Sequence, residues 1–292
     1  MTKLYTDTSA NLPLAQLREY DIAVIPFSYT VNGVAEDYNE ETDFDGKAFY
    51  DAMRRGAEVK TSMVNPATAA AFFERALAQG DDVLYVGMSG GISGTAHAAA
   101  LAAEELREKY PHAKIMTIDT YAASLGEGLQ VLEAAELLRA GRSFEEVGDR
   151  ILARRPHMCQ FFTVDDLNYL KAGGRVSNAS ALVGSLLSVK PVLYVPDGGT
   201  LDVAKKVRGR KAALAEILRG IKDDLKEVDT KGLTMHILNA DCLADAEHVR
   251  DEVRAAFPDM GEITISNLGV VIGAHCGPGL LTVFYFCNGR KP

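Results

Sequence analysis

The sequence lacks two features that mark membrane or nucleic-acid proteins. It has no run of about 18 apolar residues, which a transmembrane helix would need, and no basic block. Its first residues, MTKLYTDTSANLP, lack the apolar segment of a signal peptide. The net charge of −9 argues against broad binding to nucleic acid or anionic membranes. We therefore expect a soluble cytoplasmic protein with no transmembrane segment and at most transient membrane contact.

Cysteine is scarce, with only Cys159, Cys242, Cys276 and Cys287 in the chain. No two of them have the short spacing of a zinc knuckle or a redox pair, so no metal site is expected. Few, scattered cysteines are typical of proteins in a reducing cytoplasm. Cys276 follows His275 and could form a reactive pair with it, although burial as a plain thiol is the commoner fate of a free cysteine.

The length of 292 residues suggests two domains, since domains usually have roughly 100–200 residues. In the first part, short apolar runs alternate with amphipathic stretches, which predicts an α/β domain with a parallel sheet. The predicted strands are 3–6, 22–31, 82–88 and 114–119. The predicted helices are 66–79, 95–109, 122–139 and 143–155. Pro156 suggests a boundary between domains 1–155 and 156–292.

The second part also alternates strand and helix patterns, so it is predicted to be a second α/β domain. Its predicted strands are 158–164, 189–195, 201–206, 233–239, 262–266 and 280–287. Its predicted helices are 166–171, 210–226 and 243–257. The glycine-rich turn 196–199 predicts that strands 189–195 and 201–206 form a hairpin.

Four polar loops are candidates for ligand contact, because open parallel sheets bind ligands beyond the carboxyl ends of their strands. They are 6–13 (TDTSANLP), 60–66 (KTSMVNP), 87–95 (GMSGGISGT) and 273–279 (GAHCGPG). Glycines let the backbone approach a ligand, and hydroxyls near a helix start suit an anion. The glycine loop is neither a Walker loop nor a dinucleotide fingerprint.

Each loop also has a purely structural interpretation. Asp7 or Ser9 could cap a short helix, and Asn65 could cap the helix that Pro66 starts. In the segment 163–177, Asp165 could cap a short helix that Gly173 ends, and an ion pair of Arg175 with a carboxylate is at least as good an interpretation as ligand contact. His275 is either a structural residue or a donor in a site.

Taken together, these segments resemble the DegV family, which includes the fatty-acid-binding subunits of bacterial fatty acid kinase. The resemblance runs nearly end to end. It rests on 6–9 with 12–13, 60–62, 93–95, Asp119 with Ser124 and Gly126, 165–167 with 169–170 and 173–175, 190–191, 273–275 and 277–279.

The resemblance implies two α/β domains with one long-chain fatty acid buried between them. Hydroxyls of Thr61, Ser62 and the segment Ser93, Gly94 and Thr95 would bind the carboxylate, with His275 nearby. A separate ATP-dependent kinase subunit would phosphorylate that carboxylate, so this chain would be a carrier with no cofactor of its own rather than an enzyme. Candidate contacts with the kinase are Arg175, Arg208 and Arg210.

Small departures from the family pattern bear on the acyl tunnel. Residues 63–66 (MVNP), 89–91 (SGG), 96–97 (AH) and Ala172 differ from the usual residues, while the proposed carboxylate hydroxyls are kept. The tunnel candidates are Ile25, Phe27, Leu167, Leu182, Leu186, Leu187, Val270 and Ile272, although plain core is the better interpretation of each.

Three alternatives stand beside the carrier hypothesis. Ser93 and His275 could be the nucleophile and base of a serine hydrolase, although the Gly-x-Ser-x-Gly signature is missing. The glycine loop could bind a nucleotide, although no P-loop lysine follows it. The chain could also bind only other proteins.

Overall fold

The computed structural model describes residues 1–36, 44–175 and 189–290. The tunnel candidates Leu182, Leu186 and Leu187 lie outside these described residues. Among the helices of the described ranges, none combines the length and apolarity needed to cross a membrane.

The elements of the first 155 residues follow one another in an α/β pattern. In chain order they are β1 (Thr2–Asp7), a 3-10 turn (Thr8–Ala10), α1 (Leu14–Glu19), β2 (Ala23–Ile25), β3 (Ser28–Val31), β4 (Val34–Glu36), α2 (Gly46–Arg54), β5 (Val59–Ser62), α3 (Pro66–Leu77), β6 (Asp82–Gly87), α4 (Thr95–Lys109), β7 (Ile115–Asp119), α5 (Leu125–Arg139) and α6 (Phe144–Arg154).

The remaining elements form the second α/β part. They are a 3-10 turn (Arg155–His157), β8 (Met158–Thr163), α7 (Leu167–Ala172), β9 (Val189–Tyr194), β10 (Asp202–Arg208), α8 (Arg210–Leu225), β11 (Met235–Asn239), α9 (Leu243–Ala256), β12 (Ile263–Asn267), α10 (Val270–Cys276) and β13 (Leu281–Phe286). The predicted α/β class is confirmed.

The first sheet is parallel and has the strand order β2-β1-β6-β7. The chain runs outward from β1 to β2 and later returns to the other side of β1 as β6. The connections therefore change direction between β1 and β6, and such a switch point opens a crevice at the carboxyl ends of the two strands. Those ends are Asp7 and Gly87.

The predicted strand 22–31 is wrong as a single element. It is divided into β2, which pairs with β1, and β3, which belongs to a separate sheet of order β4-β3-β5. Pro26 lies between them and has no N–H with which to continue a ladder. The next amide, Phe27 N, donates instead to Thr8 Oγ1 at 2.7 Å.

The second sheet is mixed, with the order β10-β9-β8-β13-β11-β12. Among the strand pairs that the described residues form in this sheet, only β11–β12 is parallel. The antiparallel β9–β10 pair confirms the predicted hairpin. Helices α8 and α9 supply much of the core that packs on it, including Ile217, Ile221 and Val249, all fully buried.

The described chain separates into two compact units, Met1–Asp43 with Thr61–Arg155, and Phe44–Lys60 with Pro156–Pro292. The segment Phe44–Lys60 thus differs from the expected division at residue 155. It is held in the second unit by specific contacts: Tyr50 OH donates to Leu268 O at 2.8 Å, and Arg54 donates to the carboxylate and carbonyl of Asp241.

The predicted Asn65 cap is confirmed, and a second helix start has a capping box that was not predicted. Asn65 Oδ1 accepts from Thr68 N at 2.9 Å, and Ser143 and Glu146 form a reciprocal capping box. Helix α5 begins three residues later than predicted, because Tyr121 and Ser124 have positive φ and interrupt the helical path. The predicted Asp165 cap is wrong, since Asp166 caps α7 by accepting from Asn168 N.

Candidate functional site

The segment from Met88 to Thr95, here called the switch-point loop, connects β6 to α4. Its backbone is fixed by hydrogen bonds within the first unit. Ser89 N donates to Ala122 O at 2.8 Å, and Gly90 N donates to Asp119 Oδ2 at 2.9 Å. Ser93 N then donates to Ser89 O at 3.0 Å. These bonds give the loop one defined shape at the crevice beside β1.

The switch-point loop ends in a pair of buried hydroxyls. Ser93 is 5% exposed and Thr95 is fully buried. Ser93 Oγ lies 3.0 Å from Thr95 Oγ1, and Thr95 N donates to Ser93 Oγ at 3.3 Å. Thr95 is the first residue of α4, where backbone amides lack helical acceptors. The structure therefore brings Ser93, Gly94 and Thr95 together at a helix start that suits an anion.

Thr61 and Ser62 lie at the end of β5, just before α3. Neither caps that helix, since Asn65 does so. Side chains of adjacent strand residues alternate between faces, so we expect the two hydroxyls to point in different directions. Thr61 is half-buried whereas Ser62 is exposed. Met63 follows, and its sulfur lies where it would come within 2.6 Å of a methyl group placed on Gly94.

Beneath the switch-point loop lies a buried polar network that sequence reasoning missed. Ser9 Oγ contacts Asp7 Oδ1 at 2.5 Å and Glu127 Oε2 at 2.7 Å. Thr6 Oγ1 lies 3.1 Å from Glu127 Oε1, and Tyr85 OH lies 2.7 Å from Asp7 Oδ2. Asp7 does cap the 3-10 turn, by accepting from Ser9 N, which confirms one structural interpretation.

Both carboxyl groups of this network are inaccessible to solvent, with Asp7 1% and Glu127 0% exposed. Burial raises the pKa of Glu127 well above its ordinary value, and the neighbouring charge of Asp7 adds to this effect. Burial also raises the pKa of Asp7, while hydrogen bonds from Ser9, Tyr85 and the Met88 amide oppose it. From the sequence alone, Glu127 could be identified only as one charged residue in a predicted helix.

His275 belongs to the second unit and lies in helix α10, so the predicted turn at this position is wrong. The small residues Gly273 and Ala274 gave no helical pattern, although they lie in a helix that ends at Gly277. Burial lowers the pKa of the His275 imidazole to about 4, with a further contribution from the positive charge of Arg175. The ring is therefore neutral near pH 7 and can donate one hydrogen bond.

Three glycines near His275 leave room for neighbouring side chains. A methyl group on Gly173 would come within 2.4 Å of His275 Nδ1, and one on Gly277 would come within 2.2 Å of the Tyr169 ring. A methyl group on Gly273 would meet Tyr50 OH at 2.3 Å. Helices α7 and α10 thus meet in a corner, here called the α7–α10 corner, that only glycine permits.

The three candidate arginines have different surroundings in the second unit. Arg208 is exposed at the end of β10. Arg210 is 20% exposed, and its Nε donates to Asp245 Oδ2 at 2.7 Å. Arg175 is half-buried and donates through Nη1 to Gly173 O. Arg208 is the one whose exposure suits contact with another protein.

Two of the cysteines are paired, which the scattered spacing did not indicate. Cys159 on β8 and Cys287 after β13 form a disulfide with their Cα atoms 6.3 Å apart. Among the described residues, these two and Asp224 are the group close enough to share a metal. Metal-binding cysteines act as thiolates, and the sulfurs of a disulfide are not thiolates.

Cys276, the residue next to His275, is buried. Burial raises the pKa of its thiol to about 12, so the thiol stays protonated at neutral pH. This agrees with the plain buried thiol expected for a free cysteine and not with a reactive Cys276–His275 pair.

Comparison with known proteins assigns the chain to a family. The profile described as "Uncharacterised protein, DegV family" matches residues 1–288. A DegV domain-containing protein of Clostridium perfringens is 37% identical over 289 residues, covering 99% of this chain and 98% of the relative. The chain belongs to the DegV family.

Solved DegV structures share the whole architecture. A DegV family protein from Thermus thermophilus, described as fatty-acid binding, is 32% identical and has a TM-score of 0.86 over 98% of this chain and 99% of its own. DegV from Bacillus subtilis, described as a fatty acid binding protein, is 28% identical with a TM-score of 0.83 over 98% and 99% of the two chains. The family and the α/β fold inferred from sequence motifs are thereby confirmed.

Proposed function

We propose that this DegV protein binds one long-chain fatty acid and holds its carboxylate with the hydroxyls of Thr61, Ser93 and Thr95. The buried Ser93–Thr95 pair carries the proposal, because it lies at a helix start beside the sheet's switch point. Two similar DegV proteins described as fatty-acid binding support the ligand class.

The chemistry of the head group fits this set of donors. A carboxylate removed from water costs several kcal/mol or more unless hydrogen bonds replace its hydration. Hydroxyls and the amides at the start of α4 provide such bonds, and bonds to a charged acceptor are about twice as strong as neutral ones. The absent side chain of Gly94 makes room for the Met63 sulfur, and the Gly94 backbone is proposed to contribute to carboxylate binding. Ser62 is left out of the proposed set because it is exposed, whereas Thr61 is half-buried.

The acyl chain supplies most of the affinity. Burial of each CH₂ is worth about 0.8 kcal/mol, so roughly 15 methylenes contribute on the order of 12 kcal/mol before ordering costs. Neutral His275 is proposed as a further hydrogen-bond donor to the head group. The second unit is proposed to cover the acyl chain.

The carrier is further proposed to present the carboxylate to a separate ATP-dependent kinase, which forms an acyl phosphate. Neutral hydroxyl donors bind the head group without a tight ion pair, which leaves an oxygen able to attack a phosphoryl group. Exposed Arg208 is the preferred kinase contact, because the Arg210 guanidinium is already paired with Asp245. Arg175 remains a second candidate.

The serine hydrolase alternative is less well supported. It requires Ser93 to transfer its proton to His275, whereas the Ser93 hydroxyl is paired with Thr95 Oγ1 within the first unit. Ester turnover by the purified protein, lost on Ser93→Ala, would favour this alternative over a carrier.

The carboxylate site is tested by fatty acid retention in matched variants. Thr61→Ala with Ser93→Ala should weaken binding by at least about tenfold, since two charge-assisted hydrogen bonds are removed. Ser62→Ala, at an exposed position of the same strand, should bind as the parent does. Binding is measured by titration of delipidated protein with a fluorescent fatty acid. Equal affinity of the double variant and the parent would place the head group elsewhere.

The kinase contact is tested separately with Arg208→Ala. This variant should keep fatty acid affinity and lose phosphorylation of the bound lipid by the partner kinase. Arg208→Lys serves as the control, since it keeps the positive charge. Normal phosphorylation of the Arg208→Ala carrier would exclude Arg208 as the contact.

A further inference from the structure

The network of Asp7, Ser9 and Glu127 contains more close oxygen contacts than its hydroxyl groups have hydrogens. Four contacts are present: Thr6 with Glu127, Ser9 with Glu127, Ser9 with Asp7, and Tyr85 with Asp7. Each hydroxyl has one hydrogen to donate, so the three hydroxyls supply three. A fourth hydrogen is needed, because two bare carboxylates cannot both accept from the single hydrogen of Ser9 Oγ. At least one carboxyl group is therefore protonated.

Hydrogen bonds from backbone amides indicate which carboxyl group carries the proton. Asp7 accepts from the Ser9 amide at 2.9 Å and from the Met88 amide, besides its contacts with Ser9 Oγ and Tyr85 OH. Donors gathered around a carboxylate favour its charged form. Glu127 is contacted by the Thr6 and Ser9 hydroxyls. The proton therefore belongs on Glu127, which donates to Ser9 Oγ, while Ser9 Oγ–H donates to Asp7.

The remaining titratable groups around the pair agree with this assignment. Asp119, at the end of β7, and Asp7 both act on Glu127 as negative charges. Tyr85, on β6, is itself kept neutral by burial, which raises its pKa. With negative charges acting on it from β1 and β7, a further full negative charge on Glu127 is unfavourable.

The network is also placed to shape the switch-point loop. Asp7 lies at the end of β1 and accepts from the amide of Met88, the first residue of that loop. Glu127 lies in the first turn of α5. The charged Asp7 thus ties the start of the loop to β1, and neutral Glu127 ties β1 to α5 through Ser9.

We propose that Asp7 and Glu127 are positioning residues that retain one buried proton on Glu127, bridged by Ser9, and thereby hold the switch-point loop in its ligand-binding shape. The buried proton depends only on the network, whereas the effect on the ligand rests on the proposed function above. The two parts are therefore tested by separate measurements.

The first measurement is infrared spectroscopy of the C=O stretch of protonated carboxyl groups at pH 7. The parent should show this band, and Glu127→Gln should remove part of it. Asp149→Asn, at an exposed position of the same unit, should leave it unchanged. Any other protonated carboxyl group contributes equally to parent and variant and cancels in the difference spectrum. An unchanged band in Glu127→Gln would overturn the assignment.

The second measurement is the pH dependence of the melting temperature. The pKa of Glu127 is raised in the folded state, whereas an unfolded glutamate has a pKa of 4.5. Above pH 4.5, unfolding therefore releases a proton, and the parent loses stability as the pH rises. Glu127→Gln has no such proton. Its melting temperature relative to the parent should rise steadily from pH 5 to pH 8. A constant difference over this range would contradict a buried proton on Glu127.

The positioning role is tested by comparing two isosteric variants for fatty acid affinity. Asp7→Asn replaces a pure acceptor by a group with two hydrogens, so it should release Met88 and weaken binding by about tenfold or more. Glu127→Gln keeps a donor for Ser9 and an acceptor for Thr6, so its loss should be much smaller. Equal losses in both variants would overturn the positioning role. A parent that binds no fatty acid would refute the proposed function, while the infrared and pH results would still decide the buried proton.

Discussion

The two units position their candidate ligand groups by different physical means. In the first unit, the switch-point loop is fixed by hydrogen bonds to carboxyl groups, backbone carbonyls and hydroxyls. In the second unit, His275 is fixed by close packing, because the absent side chain of Gly173 leaves room for its ring. A polar network tolerates a side chain of different shape better than a change in the number of its hydrogen-bond donors. A closely packed corner tolerates the loss of a donor better than an increase in side-chain volume.

The same contrast applies to protons. Burial keeps a proton on Glu127, whereas burial removes one from His275. Both groups become neutral because charge is costly away from water. Their effects on stability therefore run in opposite directions with pH, and this allows the two regions to be examined independently in one protein.

The largest effect should come from filling the packed corner. Gly277 and Gly174 both have positive φ, at +73 and +71, and alanine at positive φ costs about 1 kcal/mol. With ψ 174, Gly277 also lies in a region that essentially only glycine adopts, which raises its backbone cost to about 1–3 kcal/mol. At Gly277 the methyl group also meets the Tyr169 ring, so Gly277→Ala should lose about 3 kcal/mol or more. Among the described residues nothing lies within 4 Å of such a methyl group at Gly174, so that variant should lose about 1 kcal/mol. Denaturant unfolding would measure both, and equal losses would refute the steric account.

The next effect concerns the acid stability of the same corner. The pKa of His275 is about 4 in the folded state against 6.5 when exposed. The unfolded chain thus binds a proton that the folded chain refuses, and stability present above pH 6.5 is lost as pH falls toward 4. The loss should be on the order of 3 kcal/mol at most. His275→Asn should lack this component of the pH profile, with His112→Asn, at an exposed position, as the control. A variant profile parallel to that of the parent would show that His275 is not buried as neutral imidazole.

The smallest effect compares two tyrosine hydroxyls of the first unit. Tyr85 OH bonds to the Asp7 carboxylate at 2.7 Å, and Tyr5 OH donates to the Phe72 carbonyl at 2.8 Å. Hydrogen bonds to charged groups contribute about 1.5–3 kcal/mol and neutral ones about 0.5–1.5 kcal/mol. Tyr85→Phe should therefore lose roughly 1 kcal/mol more stability than Tyr5→Phe at pH 7. The two losses should become equal if Asp7 is neutral instead of charged.

Much of the fold could be predicted from local patterns in the sequence. Helix α4 has the predicted bounds, and the Asn65 cap follows from rules that act over a few residues. The wrong predictions of elements also had local causes. Pro26 divided a predicted strand, and the small residues of α10 concealed a helix. The membership of Phe44–Lys60 in the second unit depends on Tyr50 and Arg54 contacts with residues about 200 positions away, which no periodicity records.

The candidate site was harder to predict than the fold. Hydroxyls at Thr61, Ser93 and Thr95 could be named from residue type and from the family resemblance, because anion binding at a helix start leaves a motif. The burial of these side chains could not be predicted from the sequence. The buried pair of Asp7 and Glu127 joins positions 120 residues apart, and a glutamate in a helical pattern predicts an exposed side chain. The disulfide between Cys159 and Cys287 is a long-range pairing of the same kind.

Native mass spectrometry of delipidated protein mixed with an equimolar long-chain fatty acid tests directly whether this DegV protein binds such a ligand. We expect a stoichiometric complex with one fatty acid per chain, retained by Ser62→Ala and depleted in Thr61→Ala with Ser93→Ala. A parent protein that takes up no fatty acid under these conditions would refute the proposed binding.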